Sequence, residues 1–155
     1  MDVKYINPFL DAVNNTFETM CGQTPKRCSL ALKKRGEEAP GDISGMIGFV
    51  GDLNGLIAIT FPADMAVSTV GKIVGERFSE INDVVEDGVA ELTNIIAGNA
   101  KSFFRSQSFD VDMSLPSLIV GEGHSVSTPA SIPSIIVGFQ VEDMSFWLEI
   151  CLKRD

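Results

Sequence analysis

The sequence predicts an α+β fold in which a mainly antiparallel sheet packs against long helices. Three segments carry apolar residues at helical spacing, and several shorter segments alternate apolar with polar residues or are continuously apolar. Along the chain these segments run in the order helix, strands, two helices, strands. Segregated helices and strands favour an antiparallel sheet over repeated βαβ units.

The first helix is predicted over residues 4–21. Asn7 is its expected cap, Pro8 its first helical residue and Gly22 its C-terminal stop. Its apolar stripe consists of Phe9, Leu10, Val13, Phe17 and Met20.

Strands are expected next, separated by a polar turn and a short hairpin loop. Asn54-Gly55 in that loop favours the positive φ that a tight connection needs. The predicted strands are residues 27–35, 43–50 and 55–61, with the turn at 37–42 and the loop at 51–55.

Two helices follow, at about residues 63–75 and 80–107, the second capped by Asn82 or Asp83. The chain then returns to strands at 117–120, 134–141 and 145–152, and residues 142–144 turn the last two into a hairpin. In that hairpin Phe146 and Trp147 are expected on opposite faces of the sheet.

Length and composition narrow the possible functions. A chain of 155 residues with 45% hydrophobic residues fits one folded domain over residues 1–155. The net charge of -9 argues against unaided nucleic-acid binding, which needs Lys and Arg to neutralise phosphates. It suits a partner with a basic or mixed surface, and it equally fits the ordinary acidity of a soluble protein.

Metal, disulfide and membrane features are not expected. The three cysteines form no C-x-x-C pair, and the single histidine, His124, lies in a polar stretch that we predict to be a loop or hairpin. No G-x-S-x-G elbow accompanies the nearby serines. Because the N-terminus lacks a signal peptide and no apolar run approaches about 18 residues, we expect a soluble, cytoplasmic protein.

The third predicted helix has two contrasting faces. An ordinary solvent-exposed face would show the same division, but Gly98 inside a helix costs roughly 0.5–1 kcal/mol, and a small residue there would let another backbone approach. Asn94 is also a mediocre helix former. The predicted buried face is Val85, Val89, Leu92, Ile95, Ile96, Ala100 and Phe103, and the polar face is Asp87, Glu91, Asn94, Gly98, Lys101 and Arg105.

This helix resembles the signature of the CheC/CheX/FliY family of chemotaxis phosphatases. The run Asp87-x-x-x-Glu91-x-x-Asn94 is followed about twenty residues later by Pro116, and the sequence of residues 88–101 closely resembles that of the family. The helix-first order, the glycine-rich hairpin and the paired C-terminal strands extend the resemblance over nearly the whole chain. One intact Glu-x-x-Asn pair and the chain length favour the CheX branch.

The resemblance implies a CheC/CheX-like fold and hydrolysis of the aspartyl phosphate on a CheY-type receiver domain. Asn94 would orient the attacking water and Glu91 would contact a receiver lysine, while Asp87 and Gly98 would bind the partner. Pro116 would be structural. The chain would need no cofactor of its own, since the receiver holds Mg²⁺, and it would form a homodimer through sheet edges.

Other interpretations remain open at this stage. The first helix carries Asp11-x-x-Asn14, which is either a degraded second pair or an ordinary solvated face. The protein could instead be a non-catalytic adaptor that docks on a receiver or flagellar switch protein, although docking needs no carboxamide at Asn94. An unrelated small-molecule-binding domain would require a concave pocket.

Overall fold

The computed structural model describes residues 3–33, 40–129 and 131–154, and its elements follow the predicted order. Residues 34–39, which include the first half of the predicted polar turn and the last two predicted residues of the first strand, lie outside the described part. The helices are α1 (Val3–Cys21), α2 (Ala63–Val74) and α3 (Asp83–Ser106). The strands are β1 (Lys26–Leu32), β2 (Gly41–Gly51), β3 (Leu53–Phe61), β4 (Val111–Met113), β5 (Ser117–His124), β6 (Ile135–Val141) and β7 (Met144–Arg154).

The described strands form one seven-stranded antiparallel sheet in the order β1-β6-β7-β3-β2-β4, with β5 also pairing with β2. The predicted α+β class is therefore confirmed. β1 forms one edge, and β4 and β5 share the other by pairing with opposite ends of β2. Exposed apolar side chains lie on both edges: Leu30 and Leu32 on β1, and Ile119 and Val120 on β5.

All three helices share a single buried cluster with one face of the sheet. Phe146 of β7 lies near its centre, and its ring stacks on those of Phe17, Phe61 and Phe139 at centroid separations of 4.9, 5.3 and 5.0 Å. Trp147 points to the opposite face, as the alternation in the last hairpin predicts. No described helix is long and apolar enough to cross a membrane.

The start of α1 differs from the prediction. The helix is already formed at Val3, so Asn7 is not its cap and Pro8 lies inside it. Pro8 removes one helical hydrogen bond, but the turn before it carries Tyr5 and Ile6, which are both buried. Burial of these side chains favours continuing the helix through the proline. Gly22 ends α1 with φ 65°, as predicted.

The β2–β3 hairpin is tighter than predicted, because only Asp52 separates the two strands. Positive φ occurs at Gly51 and Gly55, at 127° and 143°, and not at Asn54. The Asn54 side chain instead bonds both the N–H and the C=O of Gly51, at 3.3 and 2.8 Å. Asn54 thus stabilises the turn through its side chain rather than through its backbone conformation.

Three further residues differ from their predicted placement. Phe103 is 46% exposed and Phe104, at 1%, takes the buried position, where its ring meets Phe9 at 5.7 Å. Ile95 is only half-buried.

His124 is not in a loop: it ends β5, and its Nε2 lies 2.7 Å from Ser44 Oγ on β2. The three-residue strand β4 has no sequence signal because it is too short to show a period.

Candidate functional site

Helix α3 is held rigidly against the rest of the protein. Its N-terminus is capped by Asn82, whose side-chain oxygen accepts from the Val85 N–H at 3.0 Å. Gly88 faces α2 so closely that an added Cβ would lie 2.6 Å from Val70 Cγ1. On the sheet side, Gly45 of β2 leaves room for Thr93 of α3, which is fully buried. These close approaches fix the helix in position and in rotation about its axis.

The opposite face of α3 presents a carboxylate and a carboxamide. Glu91 and Asp87 are exposed and Asn94 is half-buried. Residues three and four apart are neighbours on a helix surface, so the three side chains form one row. Among the described residues, no hydrogen bond or ion pair engages any of the three. Their functional groups are therefore available to another molecule.

The charges in this row do not stabilise the helix. Asp87 and Glu91 are like charges at i and i+4, an arrangement that destabilises a helix by about 0.2–0.5 kcal/mol. Asp83 and Glu86 lie in the first turn, where the helix dipole favours acids. Glu91 lies beyond that turn and gains little from the dipole. The placement of Glu91 is thus unexplained by the stability of α3.

Gly98 lies one turn beyond Asn94 on the same face. A Cβ added there would meet nothing within 4 Å, so the packing of the described chain does not require glycine at this position. The close approaches of α3 to the rest of the described chain are at Gly88 and opposite Gly45, not at Gly98. The α3 face therefore offers an open surface beside Asn94.

The sheet borders this face on one side. Lys101 of α3 lies 3.9 Å from Asp112 of β4, and both β4 and β5 pack against the helix. Pro116 lies directly before β5, which agrees with the predicted place where a strand begins. Leu115, beside it, is 86% exposed. An apolar side chain thus protrudes from the loop that connects the two strands at this border.

The second candidate pair, Asp11 and Asn14, lies on α1 and is not brought together with Glu91 and Asn94. Asp11 is exposed, whereas Asn14 is half-buried and its Oδ1 is shielded from solvent. Both residues line a groove that also includes Arg27. Arg27 was missed because residues distant in sequence carry no shared periodic signal.

Sequence reasoning also missed a polar network on the outer face of the sheet. Lys33 pairs with Glu149 of β7 at 2.7 Å and also donates to the Val126 carbonyl, and the Lys33 and Glu149 side chains are only 9% and 8% exposed. The Ser44 hydroxyl lies 2.7 Å from Thr60 Oγ1 as well as from His124. Ser44 is fully buried, so this Ser–His contact serves structure rather than nucleophilic catalysis.

No group of three His, Cys, Asp or Glu residues in the described part of the chain could hold a metal ion. Burial raises the pKa of the Cys21 thiol, and the nearby charge of Lys72 opposes this rise. Cys21 ends α1 and is not part of the α3 face.

The fold is shared with known proteins. A solved CheC-like superfamily protein from Shewanella sp. PV-4 is 34% identical, with a TM-score of 0.93 over 99% of both chains. The CheX of the CheX–CheY–BeF3–Mg²⁺ complex from Borrelia burgdorferi is 25% identical, with a TM-score of 0.82 over 99% of this chain and 100% of that one. The CheY-P phosphatase CheX of Thermotoga maritima is 21% identical over 152 residues, 97% of each chain.

An antiparallel sheet packed against helices matches the fold of CheC-like proteins. A family model described as chemotaxis phosphatase CheX matches residues 43–140, which include all of α3. The chain belongs to the CheX family of chemotaxis phosphatases, and the predicted resemblance is confirmed.

Proposed function

We propose that this protein hydrolyses the aspartyl phosphate of a CheY-type receiver domain, with Glu91 and Asn94 as the working pair. The observation that carries the proposal is the unpartnered carboxylate and carboxamide on the open face of a rigid helix. Family membership supplies the reaction class, and the Thermotoga and Borrelia relatives supply the partner, since one is named a CheY-P phosphatase and the other is bound to CheY.

The proposed chemistry is in-line attack of water on phosphorus. A bond forms between the water oxygen and phosphorus while the bond from phosphorus to the aspartate oxygen breaks. The aspartate is restored as a carboxylate, and both protons of the water leave with inorganic phosphate, as H2PO4⁻. Asn94 can hold the water because its carboxamide both accepts and donates hydrogen bonds.

Glu91 has a binding role in this proposal. Its carboxylate would accept a charge-assisted hydrogen bond from a lysine at the receiver site. Asp87 adds negative charge one turn earlier, and the bare surface at Gly98 lets the receiver backbone approach α3. Mg²⁺ is proposed to be held by the receiver, since the solved Borrelia complex contains CheX together with CheY, BeF3 and Mg²⁺.

Homodimerisation is proposed through an edge of the sheet. Both edges carry exposed apolar side chains on strands with unpaired backbone groups, which favours strand-to-strand association. Ile119→Lys with Val120→Lys tests the β5 edge, and Leu30→Lys with Leu32→Lys tests the β1 edge. Sedimentation should show a dimer for wild type and for one of the two variants only. A single domain over residues 1–155 and cytoplasmic localisation stay predictions.

The proposal is tested by following phosphate loss from a phosphorylated CheY-type receiver. Wild type should accelerate it, and Asn94→Ala should lower the maximal rate about 100-fold while binding the receiver. Glu91→Ala should weaken binding about 10- to 100-fold, since a charge-assisted hydrogen bond contributes about 1.5–3 kcal/mol. Glu80→Ala, an exposed change before α3, is the control.

Two results would count against the proposal. If wild type binds receivers without accelerating phosphate loss, the protein is an adaptor. If Asn94→Ala retains the full maximal rate, the water is positioned by another group.

A further inference from the structure

Three apolar side chains line the border between α3 and the edge strand β5. Leu118 packs against the core cluster, Val120 is 49% exposed, and Leu115 in the preceding loop is 86% exposed. A single exposed apolar residue is ordinary on a protein surface, whereas neighbouring ones beside a functional site mark an interaction surface. We call these three residues the β5 shelf.

The register of β5 turns the shelf toward the helices. Residues directly opposite each other in antiparallel strands point to the same face of the sheet. Val120 lies opposite Ile43 of β2, which is fully buried under the helices, and Leu118 lies opposite Gly45, which leaves room for Thr93 of α3. Leu118 and Val120 therefore both lie on the side of the sheet that carries α3.

The loop residue Leu115 lies beside the middle of the open α3 face. Helix α3 meets the strand pair β2–β5 where Leu118 pairs with β2, and further along it meets β4 at Asp112, which lies 3.9 Å from Lys101. Leu115 comes between those two points of the chain. It is therefore adjacent to the turn of α3 that begins with Asn94.

The loop that carries Leu115 is held in place by hydrogen bonds. The Ser114 N–H donates to the Gly48 carbonyl, and the Gly48 N–H donates to Ser114 Oγ, both at 2.9 Å. The same hydroxyl donates to the Leu115 carbonyl at 2.9 Å, and Pro116 has a fixed φ. Because the loop is already ordered, covering Leu115 with a partner costs little conformational entropy.

Contact between the shelf and the receiver follows from the proposed function, on which this inference rests. The Asn94 side chain is short, so the receiver surface around the phosphorylated aspartate has to approach α3 closely. That surface then also covers the β5 shelf, which borders the same turn of the helix. A polar group pressed onto the shelf would lose water without gaining a hydrogen bond, whereas an apolar one is favoured there.

We propose that the β5 shelf binds an apolar side chain of the receiver next to its phosphorylation site, and that this contact selects which receivers are substrates. Glu91 and Asn94 contact the lysine and the water at the reacting centre. The shelf contacts the surface around that centre. Leu115 and Val120 are therefore specificity-determining residues that bind the receiver without taking part in the attack on phosphorus.

The test compares two adjacent residues of β5 that point to opposite faces of the sheet. Ile119 lies opposite Ser44 and points away from α3, so Ile119→Ser is the matched control for Val120→Ser. With a phosphorylated CheY-type receiver, Val120→Ser and Leu115→Ser should each raise KM about five- to ten-fold and leave kcat unchanged. Ile119→Ser should leave both constants unchanged. Leu115 is so exposed that its replacement does not affect folding.

A binding titration separates docking from catalysis. The receiver is loaded with BeF3 and Mg²⁺, the form present in the Borrelia complex, and its Kd is measured for each variant. Kd should rise in Val120→Ser and Leu115→Ser by the same factor as KM, and Asn94→Ala should bind as wild type does. If wild type binds this receiver without accelerating phosphate loss and the two shelf variants bind it more weakly, the proposed catalysis fails and the shelf contact stands.

Three results would overturn the inference. The first is an unchanged KM and Kd in both shelf variants, and in that case the effect of Asn94→Ala on kcat still decides the proposed function. The second is an equal loss of binding in Ile119→Ser, which would remove the distinction between the two faces of β5. The third is a shelf variant that dissociates a dimer in sedimentation and binds the receiver normally, since the shelf would then join two copies of this chain. If wild type binds no receiver, both proposals fail.

Discussion

The two glycines on α3 give a matched pair of substitutions with opposite expected effects on stability. At Gly98 an added Cβ meets nothing within 4 Å, so Gly98→Ala changes only the backbone and its helix propensity. Alanine is more favourable than glycine in a helix interior by about 0.5–1 kcal/mol. For a chain of this size that gain raises Tm by about 1–4 °C.

At Gly88 the same change meets the side chain of Val70. The added Cβ would lie 2.6 and 2.7 Å from the two Val70 methyl groups, and both helices are fixed by the core. Overpacking of this kind costs about 1–3 kcal/mol, which exceeds the propensity gain. Gly88→Ala should therefore be destabilised by about 1 kcal/mol, so that the two variants differ by about 2 kcal/mol.

Urea unfolding followed by circular dichroism measures both free energies of unfolding. Dephosphorylation assays then separate stability from function: Gly98→Ala should be more stable and yet bind the receiver more weakly, because its Cβ occupies the proposed contact surface. If Gly98→Ala is destabilised, the conclusion that a side chain fits at position 98 without a clash is wrong. If it is stabilised and binds the receiver normally, Gly98 is no partner contact.

Three further changes test other parts of the structure. Phe104→Ala should lower the free energy of unfolding in urea by about 3–5 kcal/mol, and Phe103→Ala should lower it much less. Equal losses would contradict the orientation of α3 that buries Phe104 and exposes Phe103. Lys33→Met leaves the buried Glu149 carboxylate without its cation and should lower the free energy of unfolding by about 3–5 kcal/mol. Replacing both Lys33 and Glu149 by apolar residues should restore most of that stability, and an equal loss in the double variant would refute the pairing. Burial raises the Cys21 pKa, so N-ethylmaleimide should label exposed Cys28 first and Cys21 only as pH rises; rapid labelling of Cys21 at neutral pH would contradict its burial.

The sequence was informative wherever a periodic pattern extended over several turns or strand residues. The bounds of α2 and α3 were predicted within about three residues, since caps and glycines mark their ends. Phe103 was predicted to be buried because the wheel places it in line with Val85, whereas the contact with Phe9 on α1 buries Phe104 instead. Such a contact between distant residues leaves no local signal.

The functional residues were likewise predictable where they share a local pattern and not where the fold brings distant residues together. Asp87, Glu91, Asn94 and Gly98 were found because they share one helix face, and their assignment to catalysis and docking stays a prediction. The groove beside Asn14 could not be found, because Arg27 comes from a separate strand and its proximity is created by the fold.

The rate of phosphate loss from a phosphorylated CheY-type receiver at saturating protein concentration, compared between Asn94→Ala and Asn99→Ala, tests the central claim most directly. Both changes remove a carboxamide from α3, but Asn99 is turned toward α1, where its side chain lies 3.4 Å from Thr16 Oγ1. The proposed mechanism predicts a loss of about 100-fold for Asn94→Ala and a rate near wild type for Asn99→Ala. Equal rates for the two variants would contradict it.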